Sequence, residues 1–259
     1  MSFNFIFGKP VLPARHSATS KRRVFLIGAY PSALHVRWFH PELHREVTAI
    51  AVDNEPEPFW TGIDEKKRID AWEESVEWKA TWGSVQPCGS LNGSSGVWVR
   101  DRVLCPLRIR RNETWITDSL DFYCESVGAR ERTQTPEVQH ILSKYSIPGP
   151  SLHEHPDENT IVSIARNEGH HARLRKELQT AQPELLITLG NAALRVIHEV
   201  LGDAGMTLPE KLSWDDRKYG DRFHASLGEG FEFDVLPLAH PASPDSYQKA
   251  HDRWIEGLK

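Results

Sequence analysis

Two short apolar runs, more than 200 residues apart, end in residues that could do chemistry. Val24-Phe25-Leu26-Ile27 runs into Gly28-Ala29-Tyr30-Pro31-Ser32, and Val235-Leu236-Pro237-Leu238-Ala239 runs into His240-Pro241-Ala242-Ser243-Pro244. A buried parallel strand delivers a functional loop at its carboxyl end in this way. His240 offers a hydrogen-bond donor, and Pro241 fixes the backbone that follows it; satisfying a nearby carbonyl is the plainer use of that ring. The Ser243 hydroxyl and neighbouring backbone N–H groups suit phosphate contacts; helix capping is the other use of this serine. A third run, Trp115-Ile116-Thr117-Asp118-Ser119-Leu120, carries Asp118. An ionised carboxylate only accepts, so it suits a ligand edge presenting an exocyclic amine. A carboxyl kept protonated by burial would mimic an amide instead, and capping a turn is the plain alternative. Ala29 has no catalytic group, and Tyr30 is not a base near neutral pH, so Tyr30 blocks or lines a pocket. Asp53, Asn54 and Glu55 on the next loop are substitutes, although they read first as a solvated acidic turn.

Other constellations carry less. His153-Glu154-His155 and His170-His171 lack helical metal-pair spacing and a third ligand, so no metal is expected. Gly89 to Gly96 is glycine-rich but has no lysine and following helix of a phosphate loop. No Gly-x-Ser-x-Gly nucleophile motif occurs, and Gly28-x-x-Pro31 is no dinucleotide fingerprint. Lys21-Arg22-Arg23 and Arg108-Ile109-Arg110-Arg111 are the densest basic runs and read by default as solvated turns. Cys88, Cys105 and Cys124 are odd in number and widely spaced, which fits a reducing compartment and gives no zinc or cluster spacing.

The elements that must position these residues read as an α/β domain. At 259 residues the chain can bury a full core. Its formal charge of -5 argues against a broad basic coat but not against a local patch. No run of eighteen apolar residues suggests a membrane span. The opening Met1-Ser2-Phe3-Asn4-Phe5-Ile6-Phe7-Gly8 is unlike a signal peptide, so a cytoplasmic monomer is the expectation. Residues 1–20, broken by Pro10 and Pro13, read as an arm, and 21–259 as a single domain. Val24–Ile27, Trp115–Leu120, Leu185–Leu189 and Val235–Ala239 are the central strands. Trp38–Gly62 reads as loop with a short strand at Val47–Val52, and Gly83–Gly96 as loop. Val97–Val99 and Val103–Cys105 read as a hairpin. Helices are expected after Asp64, from Thr135-Pro136, over Ile161–Leu178, over Ala192–Leu201 and over Pro244–Leu258. Gly228-Glu229-Gly230 turns a hairpin onto the last strand. Strands alternating with helices predict a three-layer α/β/α sandwich around a mostly parallel, four-stranded sheet.

The paired loops resemble those of the uracil-DNA glycosylase superfamily, and three more segments fall in the same order. Leu185–Leu189 with Gly190-Asn191-Ala192 is similar to the strand–glycine–helix unit before the final loop. Trp115–Asp118, followed by Thr135-Pro136-Glu137, resembles the strand and helix around the base-recognition residue. Pro58-Phe59-Trp60-Thr61-Gly62 resembles the segment whose ring stacks on the extruded base. Gly28-Ala29-Tyr30-Pro31-Ser32 is nearest to the first loop of the hypoxanthine-DNA glycosylase branch. Asn54 precedes Phe59-Trp60, but several residues too early for the spacing of that branch.

The resemblance implies hydrolysis of the bond between sugar C1′ and base nitrogen in DNA, single- or double-stranded, after a damaged base is flipped out. His240 would donate to the leaving base, Asn54 would be its catalytic partner, and Phe59 would stack. Gly28, Ala29, Tyr30, Pro31 and Asp118 would line the base pocket; Ser32, Gly190, Asn191, Pro241, Ala242 and Ser243 would meet DNA. No cofactor is implied. The superfamily usually has asparagine where Asp118 stands, and its efficient members place a water-activating side chain near Ala29. Those departures keep two alternatives open: a catalytically silent nucleic-acid-binding module of the same fold, and a hydrolase of free nucleosides.

Overall fold

The run Val24–Gly28 forms β1 with every residue buried, as a strand covered on both faces requires. The structure, a computed structural model, describes residues 3–14, 20–202, 208–215, 218–228 and 231–258. After β1 come β2 (Ala33–Phe39), β3 (Glu46–Asn54), α1 (Glu65–Ser75), β4 (Ser84–Pro87), α2 (Ser94–Val99) and β5 (Thr114–Asp118). Then follow β6 (Cys124–Glu125), α3 (Val127–Thr133), α4 (Pro136–Lys144), β7 (His153–Glu154), α5 (Glu158–Ala165) and α6 (Glu168–Ala181). The chain closes with β8 (Leu185–Leu189), α7 (Gly190–Leu201), β9 (Phe223–Ser226), β10 (Glu232–Leu238) and α8 (Asp245–Gly257). Where one domain is expected, the described residues divide into two compact units. Unit 1 draws on Met1–Ala14, Pro31–Val97 and Phe122–His155, and unit 2 on Arg15–Tyr30, Trp98–Asp121 and Pro156–Lys259.

Unit 2 holds a sheet in the order β5-β1-β8-β10-β9. Its first four strands are mutually parallel, and β9 adds antiparallel to β10. The α/β class and mostly parallel sheet agree with expectation; the strand count rises from four to five because the turn at Gly228, φ +72°, brings β9 onto the edge. Residues 229 and 230 of that turn lie outside the described residues. β9 pairs no further than Val235, so Pro237, which has no N–H, falls where β10 needs none on that side.

The expected helix over Ile161–Leu178 is two helices. α5 buries Ile161, Val162 and Ala165, whereas α6 buries Leu174, Leu178 and Ala181. In one continuous helix the step from Ala165 to Leu174 would turn the apolar stripe about half a turn away from the core, so the chain breaks at Arg166-Asn167. The Asp157 side chain starts α5 by accepting from Thr160 N at 2.7 Å. The expected hairpin after residue 97 is also helical. Gly96, Val99 and Val103 are buried three and four residues apart, a helical period, and α2 continues into a π-helical stretch, Arg100–Leu104.

Unit 1 is built on an antiparallel sheet, β3-β2-β4. The short strand expected at Val47–Val52 is present within β3, and β2, which no expected element covered, turns Leu34, Val36 and Trp38 alternately inward. Gly83–Gly96, expected as loop, contains β4 and the start of α2. The described part of the expected arm is core: Phe5, Ile6 and Phe7 are at most 2% exposed. Phe7 meets the rings of Trp38, Trp72, Trp78 and Trp82, with centroids 4.8–5.8 Å away. Burying three such side chains outweighs the polarity of their neighbours, at roughly 1.5–3 kcal/mol each. Thr135 caps α4 by accepting from Val138 N at 3.4 Å, with Pro136 at the first position. Asp64 occupies the cap position of α1 without a capping bond from its side chain.

Candidate functional site

The order of the parallel strands marks one place on unit 2. From β1 the chain adds β5 on one side, then crosses to place β8 and β10 on the other. The direction of winding switches between β1 and β8, and ligands of open α/β sheets bind outside the carboxyl ends at such a point. Gly28 pairs with Asp118, Ile27 with Thr188, and Leu189 with Leu238, so the four strands end level. Gly28-Ala29-Tyr30, Asp118, Gly190-Asn191 and His240 through Ser243 are thereby delivered to one edge of the sheet.

The β1 and β5 ends are joined beyond their ladder. Ser119 donates to the Gly28 carbonyl through N at 3.0 Å and Oγ at 2.8 Å, and Leu120 N donates to the Ala29 carbonyl at 2.9 Å. Arg173, on α6, donates from one nitrogen to the Asp118 and Ser119 carbonyls, both at 2.8 Å, and from another to Thr117 Oγ1 at 3.2 Å. Its second anchor is Glu177, at 2.9 Å. A planar guanidinium thus fixes the backbone that carries the buried Asp118. Nothing in the local sequence around Arg173 announces this role, because the partners are backbone carbonyls more than fifty residues away.

His240 sits in a turn that closes on itself. His240 N donates to Ser243 Oγ at 2.9 Å, and Ser243 N returns to the His240 carbonyl at 2.9 Å. Gln248, from α8, donates to the His240 and Pro241 carbonyls at 2.9 and 3.2 Å. Ala242 N donates to His240 Nδ1 at 3.1 Å, so the neutral ring carries its proton on Nε2. Burial pushes the imidazole down to about 4. At neutral pH His240 is therefore an uncharged ring with an Nε2–H donor. Ser243 serves as a turn lock, while Pro244 takes the cap position of α8 without a side-chain capping bond.

Gly190, expected to meet DNA, shapes this turn as well. It opens α7 at φ +83°, and a Cβ there would stand 3.1 Å from His240 Cβ. Only glycine gives both the left-handed backbone and the approach. Asn191 Oδ1 accepts from Leu212 N at 2.8 Å, which ties the start of α7 to the segment beyond its end.

The remaining expected residues belong to unit 1. Pro31 is buried and Ser32 is exposed, with Ser32 N donating to Glu55 Oε1 at 3.1 Å. Asn54 accepts from Leu12 N at 3.0 Å and donates to the Pro10 carbonyl at 3.1 Å. Its amide is engaged at both ends by the backbone of residues 10–12, which it clamps to the end of β3. Asp53 accepts from Asn54 N at 2.8 Å and lies 3.7 Å from Lys9; burial raises its carboxyl above the usual range. Phe59 is a buried ring at φ +54°, beside Trp60, whose indole donates to the Ile63 carbonyl at 3.0 Å.

The histidines set aside have other surroundings. In unit 1, His153 stacks on Phe3 at 3.6 Å and approaches Phe122 at 4.1 Å. In unit 2, His170 Nδ1 is 3.9 Å from Asp121. Among the described residues no three His, Cys, Asp or Glu side chains gather to hold a metal. The two basic runs precede β1 and β5, at the amino ends of the strands, away from His240. No helix among the described residues is long and apolar enough to cross a membrane.

No protein-family model matches the chain, and no curated protein matches it.

Proposed function

We propose that this protein is a DNA glycosylase of the uracil-DNA glycosylase superfamily, which hydrolyses the N-glycosidic bond of a deaminated or otherwise damaged base flipped out of DNA. The observation that carries the reading is His240: a neutral imidazole, fixed by its own turn, with its donor on Nε2, at the carboxyl edge of a sheet beside the switch point. When the C1′–N bond breaks, its electron pair goes to the base, which becomes anion-like, and the sugar becomes cation-like. A preorganised neutral donor stabilises the departing base without giving up its proton; water then adds to C1′, and the proton that this water loses neutralises the base anion through solvent. The products are a released base and an abasic sugar.

Asp118 bears on the choice of base. An ionised carboxylate favours a base edge with N–H donors over one that presents a carbonyl. Ala29 supplies no water-activating group, so leaving-group stabilisation carries the reaction and turnover is slow. The chemistry needs no metal or organic cofactor. A silent binding module of the same fold is the second reading, and Ala29 is the residue that favours it.

Purified protein would be incubated with duplexes and single strands holding uracil, hypoxanthine, xanthine or mismatched thymine, then treated with alkali. Strand scission at one or more of these bases is the expected result. Retained DNA binding without scission at any of them would select the silent module. Base release from nucleosides but not from oligomers would mark a nucleoside hydrolase.

A further inference from the structure

Behind His240 lies a buried polar chain that the proposed chemistry does not use. Ala239 N donates to Tyr219 Oη at 2.8 Å. Tyr219 Oη meets His251 Nδ1 at 2.7 Å, and His251 Nε2 meets the Arg102 carbonyl at 2.9 Å. His251 is fully buried and Tyr219 is 5% exposed. Trp98 stacks on the His251 ring at 4.9 Å, and Trp254 lies at 5.2 Å.

The directions in this chain are forced. A carbonyl only accepts, so His251 Nε2 carries a proton. Ala239 N–H only donates, so Tyr219 Oη accepts there and sends its own proton to His251 Nδ1. Every donor and acceptor is used once, with a neutral ring and a neutral hydroxyl. Burial favours both states, pushing His251 down to about 4 and the Tyr219 hydroxyl up. The charge that bears on His251 is Arg102, whose guanidinium pairs with Asp252 of α8. The Arg102 carbonyl is available for a structural reason. Its helical donor, four residues on, would be Pro106, which has no N–H. The π-helical stretch Arg100–Leu104 therefore turns that carbonyl over to His251.

We propose that Tyr219 and His251 are positioning residues for His240: they anchor the Ala239–His240 peptide to the Arg102 carbonyl and so fix where the imidazole sits and where its Nε2–H points. The Gly190 contact and the Gln248 bonds hold the turn from two other sides. The relay supplies the support on the side of β10, where the strand has ended and no ladder bond remains for Ala239 N.

The test follows the His240 ring by NMR through a pH titration of the full chain, with His240→Ala giving the assignment. Wild type is expected to titrate at about 4. Tyr219→Phe removes the acceptor for Ala239 N while keeping the ring. Loosening the turn lets water reach the imidazole, and its midpoint is expected to rise by about one unit or more toward 6.5. His251→Leu is expected to do the same. His251→Gln is expected to restore the wild-type midpoint, because the amide oxygen accepts from Tyr219 and the amide nitrogen donates to the Arg102 carbonyl. In single-turnover base release, Tyr219→Phe is expected to lower the rate about tenfold with KM little changed.

An unchanged His240 midpoint in folded Tyr219→Phe and folded His251→Leu would overturn the inference. If Tyr219→Phe does not fold, the contrast between His251→Gln and His251→Leu decides alone. The rate effect rests on the glycosylase reading. A shifted midpoint in a protein that releases no base from any DNA would sink that reading and leave the positioning role standing.

Discussion

Replacing Gly190 with alanine gives a change whose sign separates a functional close approach from an ordinary helix start. Gly190 opens α7, and at an unstrained helical position Gly→Ala stabilises by roughly 0.4–1 kcal/mol through the unfolded chain. Two features reverse that here. The residue sits at φ +83°, where an L side chain costs ~1–2 kcal/mol. The new methyl would also stand 3.1 Å from His240 Cβ, so that the turn of His240 must give by a few tenths of an ångström. Together these put the loss at about 2 kcal/mol, a fall of roughly 30-fold in the folded-to-unfolded ratio. Gly169 is the internal control: it lies in α6 with open space around it, so Gly169→Ala is expected to stabilise by ~0.5–1 kcal/mol. Urea unfolding followed by tryptophan fluorescence reads both. If Gly190→Ala proves as stable as wild type, the tight packing of the β8 end against His240 is wrong.

Other expectations test the remaining parts of the account. His35, His240 and His251 are each pushed down to about 4, chiefly by burial. Unfolded histidines bind protons below about 6.5 while these folded ones do not, so stability should be full above that pH and fall as the pH drops toward 4. Urea midpoints measured across that range should show the fall, and His251→Gln should flatten it; a flat wild-type profile would contradict the buried neutral rings. Arg173→Lys cannot reproduce the fork to the Asp118 and Ser119 carbonyls and is expected to cost about 1.5–3 kcal/mol in the same unfolding assay. Asn54→Ala should lose ~1–2 kcal/mol with base release unchanged. A lost rate at unaltered stability would return Asn54 to the reaction.

What the sequence discloses follows the range of the interactions involved. Parallel strands buried on both faces, such as Leu185–Leu189, read directly as apolar runs, and their turn residues mark where they stop. Caps are equally local, as at Thr135-Pro136. The neutral state of His240 was not legible, since it depends on Ala242 N and on burial by segments far along the chain. Arg173 and Tyr219 were invisible for the same reason: each acts on backbone brought close by folding. The misread elements have local causes. Prolines on both sides hid the alternation of β2, and two short apolar runs, Val97–Val99 and Val103–Cys105, around a polar centre imitated a hairpin where a helix runs into a π-helical turn. Phe5-Ile6-Phe7 is an apolar triplet whose place in a core depends on distant partners: Ile6 and Phe7 join a cluster with Trp38, Trp72 and Trp82, and Phe5 joins Ala33, Ala51 and Tyr123.

The central claim is that a neutral imidazole at the edge of this sheet stabilises a departing base. The most direct measurement compares wild type with His240→Ala on the oligonucleotide that the wild-type protein cleaves best, scoring abasic sites by alkaline scission, with circular dichroism as the check on folding. The expected result is base release by wild type, loss of at least about a hundredfold in the variant, and an unchanged fold. Equal rates in the two proteins would contradict the account.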